Sequence, residues 1–278
     1  MRIALLFNKE TEHTIGVYIH KLLQETEHDV HHFWTRDAKY LEPAFDLYIR
    51  VDHGDYKYDL PKTLHPSAFW VSDIHLKKPY NKIRAQVGHY DYVFCCQKQG
   101  AERLRKELNI NTCWVPHAFS PELIKPVSED KIYDIGFVGT EGKKSLRKVL
   151  MKELKALFPE SYIDQAPYKH MAEIYSASKI GFNYSIQNDI NMRMFEIIGS
   201  GAMLLTNEIK NNGFEDIFED RVNCVVYRSK DECLELAQYY LEHQEEREKI
   251  ARAGFDLSKH HTYRKRLDKI FSHLPTNA

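Results

Sequence analysis

Arg193 and Glu196 stand three residues apart in the stretch 191–206, which reads as a short helix, a glycine break at Gly199 and Gly201, and a buried strand. Side chains three apart share a helix face. A cation and a carboxylate at the open end of an α/β sheet suit a nucleotide, the carboxylate for ribose hydroxyls and the cation for phosphate. The same spacing also describes a solvated i,i+3 ion pair worth only about 0.2–0.5 kcal/mol. The fragment alone leaves both readings open. A second candidate is the loop Gly139-Thr140-Glu141-Gly142-Lys143-Lys144-Ser145, with Arg147 just inside the helix that follows. Free N–H groups and the dipole at a helix start favour an anion, and the lysines add charge. Gly139, Thr140, Lys143, Lys144 and Arg147 therefore join Arg193 and Glu196 as the nucleotide-binding candidates. The spacing is not G-x-x-x-x-G-K-[ST], which excludes a P-loop. An ordinary βα turn with solvated lysines is the alternative.

Asp73 and His117 each follow an expected strand, where groups that touch substrate are commonly carried. An imidazole titrating near neutrality can act as a base or donate a hydrogen bond. Asp73 and His117 are the catalytic candidates, with His75 and His13 as further histidines of the same kind. A metal is not expected. His31-His32 and His260-His261 are adjacent pairs without cysteine or carboxylate partners at ligand spacing, and the chain has no D-x-D. No serine sits in G-x-S-x-G, so a hydrolase elbow is absent. The basic and aromatic run at 259–266 reads as the solvated start of a helix.

These groups need a scaffold. Apolar runs at 2–7, 29–34, 47–51, 67–72, 92–96 and 112–115 predict strands, with helices over 15–24 and 97–108. The segment 120–131, with Pro121 and Pro126, reads as a linker. A second series then begins. Strands are expected at 133–138, at 180–184, after Gly201 and at 224–227, with one ending at Ile163. Helices are expected from Ser145 as N-cap to 158, then over 170–177, 230–242, 245–259 and 263–273. Strands alternating with helices imply parallel sheets that bind ligands at their carboxyl ends. The domains expected are 1–120, 121–262 and a terminal helix in 263–278 that returns to the first.

The chain has 278 residues, enough for two ordinary domains, and a hydrophobic content of 43 %, ordinary for a globular protein. Its net charge of −1 gives no support for broad attraction to nucleic acid or to a membrane. No apolar run approaches the roughly 20 residues of a membrane span. The apolar start at 1–7 is followed at once by charge, so it reads as a strand and not a signal peptide. Five cysteines, several in apolar runs, fit reduced thiols in a cytoplasmic protein.

Tyr133-Asp134-Ile135-Gly136-Phe137-Val138-Gly139, then Arg193-Met194-Phe195-Glu196 with Gly201-Ala202 and Leu204-Leu205-Thr206, then His261-Thr262-Tyr263 with Arg266, follow in this order. Together they resemble the CgeB-like (spore maturation protein type) glycosyltransferases of the GT-B fold, most strongly over residues 88–272. The resemblance implies two Rossmann-like domains facing each other across a cleft, with the last helix crossing back. It implies a hexosyl transfer from a nucleoside-diphosphate sugar bound by the C-terminal domain to an acceptor facing the N-terminal one, without a metal. Related retaining enzymes carry E-x7-E. Glu196 aligns with its second, ribose-binding glutamate, whereas Asn188 stands at the first, and nearby Asp189 is out of register. Sugar, nucleobase, acceptor and stereochemistry stay open. So do a non-catalytic binding protein on the same fold and an enzyme that glycosylates nucleic-acid bases.

Overall fold

A computed structural model describes residues 1–10, 13–128, 130–142 and 145–274. The chain forms two compact units. One comprises Met1–Pro116 with Asn211–Gly213 and Tyr263–Ala278, the other His117–Lys210 with Phe214–Thr262.

The first unit runs β1 (Arg2–Leu6), α1 (Ile15–Gln24), β2 (Asp29–Phe33), β3 (Leu47–Val51), β4 (Ser67–Val71), α2 (Lys77–Gln86), β5 (Tyr92–Cys95), α3 (Lys98–Leu108) and β6 (Thr112–Trp114). The strands are parallel, in the order β2-β1-β3-β4-β5-β6. β3 and β4 are buried along their whole length, as expected of continuous apolar strands covered on both faces. α2 has no counterpart in the sequence reading. It is mostly polar, buries only Tyr80 and Ile83, and carries Pro79 in its first turn, where the missing N–H costs nothing.

The second unit runs β7 (Tyr133–Val138), α4 (Leu146–Leu157), β8 (Tyr162–Asp164), α5 (Met171–Ser176), β9 (Ser178–Asn183), α6 (Met192–Gly199), β10 (Met203–Asn207), β11 (Val225–Tyr227), α7 (Lys230–Glu242) and α8 (Gln244–Ser258). Its sheet is also parallel, in the order β11-β10-β9-β7-β8. The strand order reverses between β7 and β9. Successive crossover helices leave to opposite faces there and open a crevice at the carboxyl ends. Ile135, Phe137, Leu150, Leu154, Ile180, Phe182, Met203 and Leu205 fill the core between sheet and helices. α6 lies close on the sheet because Gly181 has no Cβ; one built there would meet Ile197 Cγ2 at 2.3 Å.

After Thr262 the chain re-enters the first unit as α9 (Tyr263–Phe271). Tyr263 stacks on Tyr18 of α1, with ring centroids 4.9 Å apart, and Arg266 donates from Nε to the Pro116 carbonyl at 2.8 Å.

Candidate functional site

The β7/β9 crevice of the second unit collects the charged residues that the sequence singles out. β7 ends at Val138, and Gly139 begins the loop with φ +151°, a backbone region open to glycine and strained for other residues. A Cβ at Gly139 would lie 2.6 Å from Arg193 Nη2. The glycine thus turns the chain and makes room for the guanidinium. Arg193 sits in the first turn of α6. Its Nε donates to the Val138 carbonyl at 3.2 Å and its Nη1 to Asn183 Oδ1 at 3.4 Å. The guanidinium also lies over the Phe137 ring, 4.6 Å from its centroid. Asn183, fully buried at the end of β9, donates from Nδ2 to Thr206 Oγ1 at 2.9 Å. That bond turns its oxygen toward Arg193. Tyr175, also fully buried, accepts the Val138 N–H at 3.1 Å. Burial pushes its phenol up to about 12, so it stays neutral.

Glu196 lies one turn further along α6 and is 4 % exposed. Burial pushes its carboxyl up to about 7, against the opposing pull of the Arg193 charge and of the Tyr168 hydroxyl, which donates to Oε1 at 3.4 Å. The solvated ion-pair alternative is thereby overturned. Glu196 is inside the protein, and Arg193 is turned to the strand ends. Asn191 precedes the helix as its N-cap, yet its side chain caps nothing. Its Oδ1 is buried without a partner among the described residues, which marks a polar atom available to a ligand.

Arg147 enters from the other side. Its Nε donates to the Glu141 carbonyl at 3.3 Å. Burial lowers its pKa first and the Arg193 charge lowers it further, partly offset by Asp189. Two guanidinium groups therefore feel each other's charge beside the first turns of α4 and α6. The unbonded N–H groups of both turns point outward from the helix starts. An anion between them relieves the repulsion and takes up those donors. Ser145 caps α4 by accepting the Lys148 N–H at 3.4 Å. Lys148 is committed to Glu141 at 3.1 Å, in an exposed pair. Thr140 is exposed. Lys143 and Lys144 lie outside the described residues.

Asn188, at the place of the first glutamate of E-x7-E, adopts φ +61°. Its Oδ1 accepts the Lys210 N–H at 3.0 Å. Asp189 accepts the Ile186 N–H at 2.7 Å. Asp189 thus holds the 185–189 turn, and Asn188 ties that turn to Lys210. Asp73 follows β4 in the first unit, where its N–H reaches the buried carboxylate of Asp52, Oδ2 at 3.4 Å. His117 is the first residue of the second unit and is partly buried. The structure therefore joins Gly139, Arg147, Arg193 and Glu196 in one crevice, while Asp73 and His117 belong to separate units. Sequence reasoning missed Tyr168, Tyr175 and Asn183. Asn183 was open to detection as the polar last residue of an apolar strand; the two tyrosines have no local signal.

A family model described as glycosyl transferase-like matches residues 122–272. No curated protein matches the sequence. Among solved structures, Anabaena Alr3699/HepE in complex with UDP and glucose is similar at a TM-score of 0.71 and 12 % identity, over 99 % of this chain and 100 % of that one. Sucrose-phosphate synthase (tll1590) from Thermosynechococcus elongatus is similar at 0.69 and 9 % identity, over 98 % and 97 %. An alpha-glucosyltransferase solved in complex with UDP is similar at 0.68 and 12 % identity, over 98 % and 99 %. At such identities the likeness establishes the fold, which is GT-B.

Proposed function

The chain belongs to the glycosyl transferase-like family, and on that premise we propose that it transfers a hexosyl group from a uridine-diphosphate sugar to an acceptor. The observation that carries this is the pairing, on the first turns of α6, of a buried carboxylate and a cation held over Gly139 at the switch point of the second sheet. The UDP bound to Alr3699/HepE and to the alpha-glucosyltransferase supports uridine as the base. The run from Tyr133 to Arg266 supports a place in the CgeB-like branch.

In this reading Glu196 accepts hydrogen bonds from the ribose, and Arg193, Arg147 and the α4 and α6 N–H groups face the diphosphate. Lys143 or Lys144 adds a further cation, and Gly139 and Thr140 border the phosphates. As the glycosidic bond breaks, negative charge grows on the leaving phosphate oxygen. Fixed donors aimed there lower the barrier because they need no reorganisation. Charge on the diphosphate is met by guanidinium groups and helix starts, so transfer is proposed to need no metal, and EDTA should leave it unchanged. Asp73 and His117 are kept as proposed acid–base groups, each in its own unit. The buried thiols of Cys95, Cys96, Cys224 and Cys233 support a reducing, cytoplasmic setting. Among the described residues, no helix is long and apolar enough to cross a membrane.

The test is a thermal-shift screen with UDP, GDP, dTDP and their sugars, followed by an assay of UDP release from UDP-glucose. A ligand that binds only the native state raises the midpoint. UDP should raise it more than GDP or dTDP, and UDP-glucose should be consumed. No shift with any of them overturns the reading. Binding without turnover, in the presence of candidate acceptors, selects the non-catalytic alternative, which the commitment of Asn188 to its turn favours.

A further inference from the structure

At the opposite end of the second sheet lies a cavity of about 370 Å3 with its own cluster of cations. Lys131 precedes β7, Lys179 opens β9, and Ser200 and Gly201 precede β10, so the cavity sits at the amino ends of the strands. Strands of five to six residues put it about 17–20 Å from the β7/β9 crevice. α8 closes the other side with Arg247, Arg252 and Phe255.

The charges are not balanced within it. Lys179 pairs with Asp134 at 2.7 Å. Lys131 instead donates to the carbonyls of Ser176 at 2.7 Å and Gly201 at 3.3 Å. Arg247 is 5 % exposed, and its Nη1 donates to the carbonyls of Tyr240 and Leu241 at 2.6 and 3.1 Å. Both cations are thus fixed by neutral oxygens, while the exposed Glu248 offsets each in part and Asp134 acts on Arg247 as well. Arg252 adds a third on the exposed rim, and Glu248 is the one carboxylate among the described residues of the lining. Burial first and the Arg247 charge second lower the Lys131 pKa, partly offset by Glu248, as expected of two cations that share one carboxylate. The Ser200 hydroxyl, in a residue only 1 % exposed, has no partner among the described residues. Among the described residues, Lys131, Lys179, Arg247 and Arg252 outnumber Glu248 and Asp134 by two charges, an excess that is costly unless an anion joins it.

We propose that this cavity is a second ligand site, separate from the donor crevice, which takes a small phosphate-bearing molecule. The phosphate is held by Lys131, Arg247 and Arg252, and its organic part lies against Phe255. The Arg forks match phosphate oxygens, and the volume is that of a small-molecule site.

The experiment titrates the intact protein with glucose 6-phosphate, and with glucose as the uncharged control, following the unfolding midpoint and calorimetric heat. Both are run with and without saturating UDP, which keeps the donor crevice occupied. Arg247 also holds the end of α7, so the variants are Arg252→Glu and Lys131→Met, with Glu196→Gln as the donor-site control. Expected is a saturable glucose 6-phosphate response that persists in UDP and in Glu196→Gln. It should weaken about tenfold or more in Arg252→Glu and Lys131→Met, the loss of one charge-assisted contact. Glucose should give none. A response equal in all variants, abolished by UDP, or absent up to about 10 mM overturns the proposal. A failure of UDP to bind would overturn the donor-site reading alone.

Discussion

The raised carboxyl of Glu196 makes a prediction with a definite sign. Its ordinary value is 4.5, and burial takes it to about 7 in the folded chain. Between those values the folded state holds a proton that the unfolded state has lost, so stability falls as pH rises through this window. At 1.36 kcal/mol per unit, the full effect is about 3 kcal/mol, present below pH 4.5 and gone above pH 7. Glu196→Gln keeps the shape without the charge and should remove this slope. The variant should match the wild type near pH 4.5 and exceed it at pH 8, by up to about 3 kcal/mol in urea unfolding. Ligand binding should show the opposite face of the same linkage. Ribose hydroxyls donate to the charged carboxylate, so uridine should drive off the proton. Its affinity should fall below pH 7, approaching tenfold per unit, and calorimetry at pH 6 in buffers of different ionisation heat should detect proton release. Uridine is the probe because its ribose carries no titrating phosphate. Parallel stability curves for the two proteins would show that the carboxyl is not raised. A flat uridine profile with no proton release would refute its role against ribose.

Arg193→Ala should weaken UDP roughly tenfold to a hundredfold while leaving uridine nearly unchanged, since one charge-assisted bond is worth about 1.5–3 kcal/mol; equal losses for both ligands would place Arg193 away from the phosphates. Gly139→Ala should lower stability by about 1–3 kcal/mol through its positive φ and weaken UDP by displacing the guanidinium, read by urea unfolding and calorimetry; unchanged UDP affinity would uncouple the glycine from Arg193. Asn188→Glu restores the first glutamate of E-x7-E, yet it should lower the melting midpoint and fail to raise turnover, because Asn188 sits at φ +61° with its side chain on the Lys210 N–H; faster turnover would contradict the role given to this turn.

The alternation of apolar runs with helical periods is legible along the chain alone, and with it the strands and the parallel α/β class. The sequence also shows which residues open α4 and α6, since Ser145, Gly139 and the Arg193–Glu196 spacing act within one or two turns. It did not register α2, whose apolar face is two residues wide. Tertiary structure decided the strand order, and so placed the crevice between β7 and β9, strands separated in sequence by β8. It also decided that Glu196 is a buried carboxylate and not half of a solvated pair. Desolvation depends on what is packed around a group, and around Glu196 that packing draws on Tyr168 and on the close seat of α6 over Gly181, residues 28 and 15 positions away. The amino-end cavity has the same origin. Lys131, Lys179, Ser200 and Arg247 each look unremarkable in their own segments, and only the closing of the sheet against α8 brings them to one cavity. Periodicity is a property of neighbours along the chain, whereas burial and charge balance are properties of neighbours in space.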